Sequence, residues 1–286
     1  MYKRAVISDE ISQDLVAAVA MARDFRLEAV ELRNVWGRRI DLLDDEEMRR
    51  ARDIVREAGL RVAAIASPFL KANIDDDAEY REHLEILRRS IRAAKLFGTN
   101  LIRCFTFWKD RQLDQAYSRI LAQYAEPIRV AAGEGVVLGV ENEASTFIAT
   151  GEQLARFLAD LSSPVVKATW DPGNAYFDEL HERAYPVGYE AVKSQIVHVH
   201  IKDCARNPST GKLEWVPLGK GEVDVRGQLR ALVADGYDGF VSLETHYRPR
   251  QLPEEVLRSP SGQVFSEMGA RATAECLRNW DEMLGR

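Results

Sequence analysis

One device recurs along this chain: an amphipathic run, a glycine, a short apolar stretch, then a polar residue. Ala58-Gly59-Leu60-Arg61-Val62, Phe97-Gly98-Thr99-Asn100-Leu101, Glu134-Gly135-Val136-Val137 and Asp235-Gly236-Tyr237-Asp238-Gly239-Phe240 all carry its central part. A glycine there supplies the left-handed residue that ends a helix and lets the chain turn into a strand. The apolar stretches end near Ser8, Arg33, Ala66, Phe105, Glu141, Asp171, Ile201 and Glu244. Strands apolar on both faces belong in a parallel sheet covered by helices. Eight such units in 286 residues predict an α/β fold, a closed (β/α)₈ TIM barrel. The open doubly wound sheet is the alternative, but no Gly-x-Gly-x-x-Gly follows the first strand.

Helices are expected over Asp14 to Asp24, Asp45 to Ala58, Ala78 to Phe97, Gly151 to Leu161 and Val225 to Ala234. A further one spans Gln112 to Ala132, kinked or broken by Pro127. Another covers Glu179 to Ser194, interrupted by Pro186, and a last one lies in Phe265 to Leu284. No linker breaks the pattern, so residues 1–286 read as a single domain. The two longest loops, Asp203 to Val223 and Thr245 to Ser261, both follow polar-ended strands.

The polar endings carry the chemistry. Ile196-Val197-His198-Val199-His200-Ile201-Lys202-Asp203 alternates so that His198, His200 and Lys202 share one face. Imidazoles on a strand of Val and Ile need partners, because a buried polar group without one costs a few kcal/mol. Gly139-Val140-Glu141-Asn142-Glu143, Trp170-Asp171-Pro172-Gly173-Asn174 and Leu243-Glu244-Thr245-His246 end the same way. In a barrel, Glu141, Asp171, His200 and Glu244 come from the fifth to eighth strands, and all open at the C-terminal mouth. Three carboxylates so placed repel one another unless a cation neutralises them. With one imidazole they form an oxygen-rich set for one divalent ion, Mn²⁺ in the first place, with Mg²⁺, Co²⁺ or Zn²⁺ as alternatives.

Composition excludes some classes. The formal net charge of −6 argues against a nucleic-acid partner. No run reaches transmembrane length, and Met1-Tyr2-Lys3-Arg4 leads directly into a strand-like run, so neither a membrane role nor a signal peptide is expected. Cys104, Cys204 and Cys276 are widely spaced, which fits a reducing cytoplasm and no zinc cluster. Gly219-Lys220-Gly221 is the nearest approach to a phosphate cradle, so an unphosphorylated substrate is expected. If the chain self-associates, a homodimer is the commonest form.

Nearly the whole chain resembles the sugar-phosphate isomerase/epimerase superfamily, the xylose isomerase-like TIM barrels. The motifs are Val140-Glu141-Asn142, Trp170-Asp171-Pro172-Gly173-Asn174, His198-Val199-His200-Ile201-Lys202-Asp203, Leu218-Gly219-Lys220-Gly221-Glu222-Val223-Asp224 and Leu243-Glu244. The resemblance selects His200 over His198 as the ligand and leaves His198 to the core or to a supporting place. It matches Arg206 to a substrate-binding arginine of the ketohexose epimerases, against a plain exposed arginine. Glu31 matches a second-strand Glu that holds a substrate hydroxyl; an internal pair with an arginine such as Arg33 is the competing reading. Lys202 and Asp203 pair with each other or frame the metal. Lys71, Phe69, Phe107 and Trp108 are candidates for the pocket wall, and Glu143 and His246 for support of the ligands. One departure is Asn174, which stands where the epimerases carry a histidine beside the substrate carbonyl. A neutral amide carries no charge or proton, which argues against 3-epimerisation of free ketohexoses. The related endonucleases need several more histidines than the five present here.

The ligand set implies a mechanism. A metal-stabilised enediolate forms when an α-proton leaves a hydroxy-ketone. Glu141 and Glu244 then act as the acid–base pair. The expected function is a divalent-metal-dependent isomerase or epimerase of a sugar, keto-sugar or polyol in carbohydrate metabolism. Loss of a β-hydroxyl would make it a lyase instead, an inosose- or dehydroshikimate-type dehydratase or a keto-glycoside eliminase. A non-catalytic sugar-binding barrel is the reading from another class.

Overall fold

The computed structural model describes residues 1–249 and 262–285. Its main strands are β1 (Lys3–Ile7), β2 (Ala29–Leu32), β3 (Arg61–Ala66), β4 (Leu101–Cys104), β5 (Val137–Glu141), β6 (Val166–Trp170), β7 (Ile196–Ile201) and β8 (Phe240–Leu243). They close into a barrel in the order β1-β8-β7-β6-β5-β4-β3-β2. Each ends within one residue of the position read from the sequence. Two hairpins lie in the loops: Asn34–Val35 with Arg38–Arg39, and Asp203–Arg206 with Leu213–Val216.

The helices are α1 (Leu15–Asp24), α2 (Asp45–Glu57), α3 (Asp77–Phe97), α4 (Leu113–Gln123), α5 (Ala125–Glu134), α6 (Gly151–Leu161), α7 (Pro172–Phe177), α8 (Tyr189–Val192), α9 (Val225–Ala234), α10 (Gly262–Ser266) and α11 (Gly269–Met283). Side-chain caps set several starts. Asp44 and Glu47 form a capping box on α2, Thr150 and Gln153 one on α6, and Asp76 caps α3. Gly98 and Gly135 close α3 and α5 in the left-handed conformation, as the repeated device requires.

Three helical expectations need correction. Gln112 to Ala132 is two helices that meet at Tyr124. Pro127 is the third residue of α5, in the first turn, where a missing N–H breaks no intrahelical bond. Glu179 to Ser194 is helical only from Ala184. The interruption expected at Pro186 is present: Tyr185 is held extended before it, at φ −122° and ψ 130°. The last helix is broken at Glu267 and Met268, the latter at φ 58°. The loop expected over Thr245 to Ser261 lies outside the described residues from position 250.

The tertiary contacts gather into two compact units, residues 1–63 with 199–286, and residues 64–198. In the first, β1 pairs in parallel with β8 and β2, with Val6 opposite Leu243 and Ile7 opposite Glu31. Ala5, Ala29 and Ala63 form a small-residue layer against Phe240. In the second, β4, β5 and β6 pair in parallel, with Cys104 opposite Val140 and Glu141 opposite Thr169. A Cβ on Gly139 would lie 2.4 Å from Oγ1 of Thr169, so a larger residue there would have to displace that side chain.

Candidate functional site

In the first unit, β7 and β8 deliver His200 and Glu244. Both are buried, and the Glu244 N–H donates to the Ile201 carbonyl at 3.0 Å. Nδ1 of His200 lies 3.8 Å from Oε2 of Glu244. Nε2 of the same ring lies 3.1 and 3.0 Å from the two carboxylate oxygens of Glu31. Lys202 donates to Oε2 of Glu244, and Arg33 reaches its Oε1 at 3.3 Å. Burial alone would raise the Glu244 pKa. Lys202, then His246 and His200, outweigh it and hold the carboxyl well below the usual range. Glu244 is thus kept ionised, the state that a metal ligand or a base requires.

The remaining groups of this unit brace that core. Arg33 spans Asp9 (3.2 Å) and Glu10 (2.8 Å) as well as Glu244. An arginine partner for Glu31 was the competing sequence expectation. Arg33, past the end of β2, instead reaches the polar ending of β1, and Glu31 faces His200. Asp203 does not pair with Lys202 in the way considered from sequence. Its carboxylate accepts the backbone N–H groups of Gly219 (2.9 Å), Gly221 (2.8 Å) and Val223 (3.2 Å). The glycine-rich stretch therefore wraps an internal carboxylate, which occupies the donors that a phosphate would need. Arg206 is exposed, and Nη1 donates to the Gly211 carbonyl at 2.6 Å. Glu10, Glu244 and His246 offer ligand atoms within 4.8 Å of one another, so buried acids and histidine here can hold an ion. Glu10 is already neutralised by Arg33 and by Arg248 at 3.0 Å.

The second unit holds Glu141 and Asp171. Asp171 caps α7, accepting the Asn174 N–H at 2.9 Å, with Pro172 at the first helical position. The Asn174 side chain donates to Oε1 of Glu141 at 3.1 Å. One asparagine thus ties both carboxylates. Asn142 locks the same corner: it donates to the Asp171 carbonyl at 2.8 Å and accepts the Asp171 N–H at 2.9 Å. Arg103 donates to Oε2 of Glu141 at 2.9 Å.

Around this corner, Lys71 pairs with Glu143 at 3.1 Å, its ammonium 4.3 Å from the Phe105 ring centre and 5.4 Å from that of Trp108. Phe69 and Phe107 are fully buried in the core, and so is His198.

Asp9, Glu10, Arg103 and Arg248 were not singled out by sequence. Arg103 had a signal, a charge inside the apolar run Leu101-Ile102-Arg103-Cys104, and Asp9-Glu10 directly follow β1. The three cysteines are free and buried, and burial pushes the thiols of Cys104 and Cys276 up to about 12, which makes them unreactive. Among the described residues, no helix is long and apolar enough to cross a membrane.

The family model described as the xylose isomerase-like TIM barrel matches residues 19–280. An inosose dehydratase of Yersinia enterocolitica is 27% identical over 48% of this chain, a match that spans only 50% of that relative. The L-ribulose-5-phosphate 3-epimerase UlaE of Salmonella heidelberg is 23% identical over 96% of this chain and 92% of its own length. Among solved structures, D-psicose 3-epimerase from Clostridium cellulolyticum H10 superposes with a TM-score of 0.74 at 15% identity, covering 99% of this chain and 98% of that one. At that identity the likeness concerns the fold.

Proposed function

The chain belongs to the xylose isomerase-like TIM-barrel family, and from that premise we propose that it is a divalent-metal-dependent isomerase or epimerase of a sugar, keto-sugar or polyol. Glu141, Asp171, His200 and Glu244 are assigned as the ligands of one ion. These four buried side chains, each with one ligand atom to give, stand at the ends of β5, β6, β7 and β8, consecutive in the strand order. Three carboxylates and one imidazole are a donor set that fits Mn²⁺, Mg²⁺, Co²⁺ or Zn²⁺. The observation that supports the reading is that neighbouring groups fix these side chains in place. Arg103 and Asn174 fix Glu141, Asn174 N–H and Asn142 fix Asp171, and Lys202 and Arg33 keep Glu244 ionised.

When bound, the ion would supply Lewis-acid stabilisation of charge on adjacent substrate oxygens. The chain's own residues do the rest. A carboxylate of Glu141 or Glu244 takes the proton from the carbon next to the carbonyl, and the C–H electron pair moves into the enediolate. Return of the proton to the neighbouring carbon, with the hydroxyl proton passing to the other oxygen, isomerises the substrate; return to the opposite face of the same carbon epimerises it. Lys202 and Arg206 are assigned to substrate hydroxyls and carbonyl, whereas Asn174 and Glu31, also expected there from the sequence, are engaged with Glu141 and His200 and are assigned to support of the ligands. A second reading, a dehydratase, is supported by the similarity to inosose dehydratases.

One experiment decides between them. The Mn²⁺-loaded protein is incubated in D₂O with a panel of ketoses, keto-sugars and inososes. Deuterium gained at an α-carbon with rearranged product identifies the isomerase or epimerase. Product short of one water identifies the dehydratase. No exchange with any substrate class, in protein that binds the ion, would favour a binding barrel.

A further inference from the structure

We infer that Glu31 determines which nitrogen of His200 is offered to the ion, and is therefore a positioning residue. This rests on the metal reading above. An ionised carboxylate only accepts hydrogen bonds. Both oxygens of Glu31 meet Nε2 of His200, at 3.1 and 3.0 Å, so with Glu31 ionised the ring proton is assigned to that nitrogen. Nδ1 keeps the lone pair, and Nδ1 is the nitrogen turned towards Glu244, 3.8 Å from Oε2. Glu31, His200 and Glu244 are 0%, 0% and 3% exposed, so they are sheltered from bulk solvent. The mount is rigid as well. Glu31 sits inside β2, all four residues of which are buried, in register with Ile7 of β1. A carboxylate that orients a ligating imidazole typically contributes about 10–100-fold in metal affinity.

The test begins with the wild-type protein labelled with ¹⁵N-histidine, the His200 signals being assigned by their loss in His200→Gln. Nε2 is expected to show a directly bonded proton, and the Nδ1 resonance to move when Zn²⁺ is added. A metal-induced shift at Nε2 instead overturns the inference without any variant.

Calorimetric titration with Mn²⁺ then compares wild type, Glu31→Leu and Glu31→Gln. Gln keeps an acceptor oxygen but not the charge. Leu is expected to weaken binding about 10–100-fold and Gln only a few-fold. Equal losses in both variants would mean that the charge, not the orientation, matters, and would overturn the positioning role. So would wild-type affinity in Glu31→Leu, which leaves the metal reading standing. A wild-type protein that binds no divalent ion sinks both.

Discussion

At the residue scale, the two glutamates differ in their surroundings, and the difference is testable. Glu141 is held by one arginine and one amide, whereas Glu244 meets Lys202, Arg33 and two imidazoles. Glu141→Gln and Glu244→Gln leave an oxygen that can coordinate but remove the base. Both should keep most of their Mn²⁺, measured by elemental analysis, while turnover falls about 10²–10⁴-fold. Full turnover in either variant removes that residue from proton transfer. Asn174 gives a second prediction. Its amide is committed to Glu141 and to the Asn142 carbonyl, and it carries no proton to lend. Free fructose, tagatose and psicose should therefore not be 3-epimerised; a kcat above roughly 1 s⁻¹ with any of them would refute this.

At the scale of elements, the turn Leu218 to Val223 depends on Asp203. A Cβ on Gly221 would lie 2.1 Å from Oδ1 of Asp203 and 2.4 Å from the Cys204 carbonyl. Gly221→Ala should therefore cost about 1–3 kcal/mol, read as a lower urea midpoint. Gly133→Ala, within α5 and with nothing within 4 Å of the new methyl, is the control that should not lose stability. The same carboxyl predicts a pH dependence. Burial raises Asp203 to about 6, against the backbone N–H groups of Gly221, Val223, Gly219 and Cys204, which lower it. An acid raised in the folded state binds its proton before the unfolded chain does. Its stabilising contribution is thus present below about pH 4 and is lost as the pH rises through about 6, by at most about 3 kcal/mol. The stability difference between wild type and Asp203→Asn should shrink or reverse across that window. A difference independent of pH would show that Asp203 does not titrate there.

At the scale of the whole molecule, the boundaries between the two units fall inside β3 and β7, between Ala63 and Ala64 and between His198 and Val199. A strand is not a linker, so residues 1–286 are expected to unfold in one transition after treatment with EDTA. Mn²⁺ at about 100 times its Kd should move that transition upward by about 2.7 kcal/mol. Two separate transitions would divide the chain into two domains, and an unmoved one would remove the ion. The sequence by itself determined the strand–helix alternation, the eight strand ends and the closing glycines, because these are written in local periodicity and backbone permissiveness. It also determined which residue types end the strands: Glu141, Asp171 and Glu244 stand out as charges after apolar runs, and His198 and His200 as imidazoles within one, between which only the family resemblance chooses. Only the tertiary structure decided their partners. Arg33 turns to Asp9 and Glu10 rather than to Glu31, Asp203 fills the glycine turn, and Asn174 ties Glu141 to Asp171. Partners of that kind lie far apart in the chain, and burial forces each polar group to find whichever complement the fold brings near, a choice that no local pattern encodes.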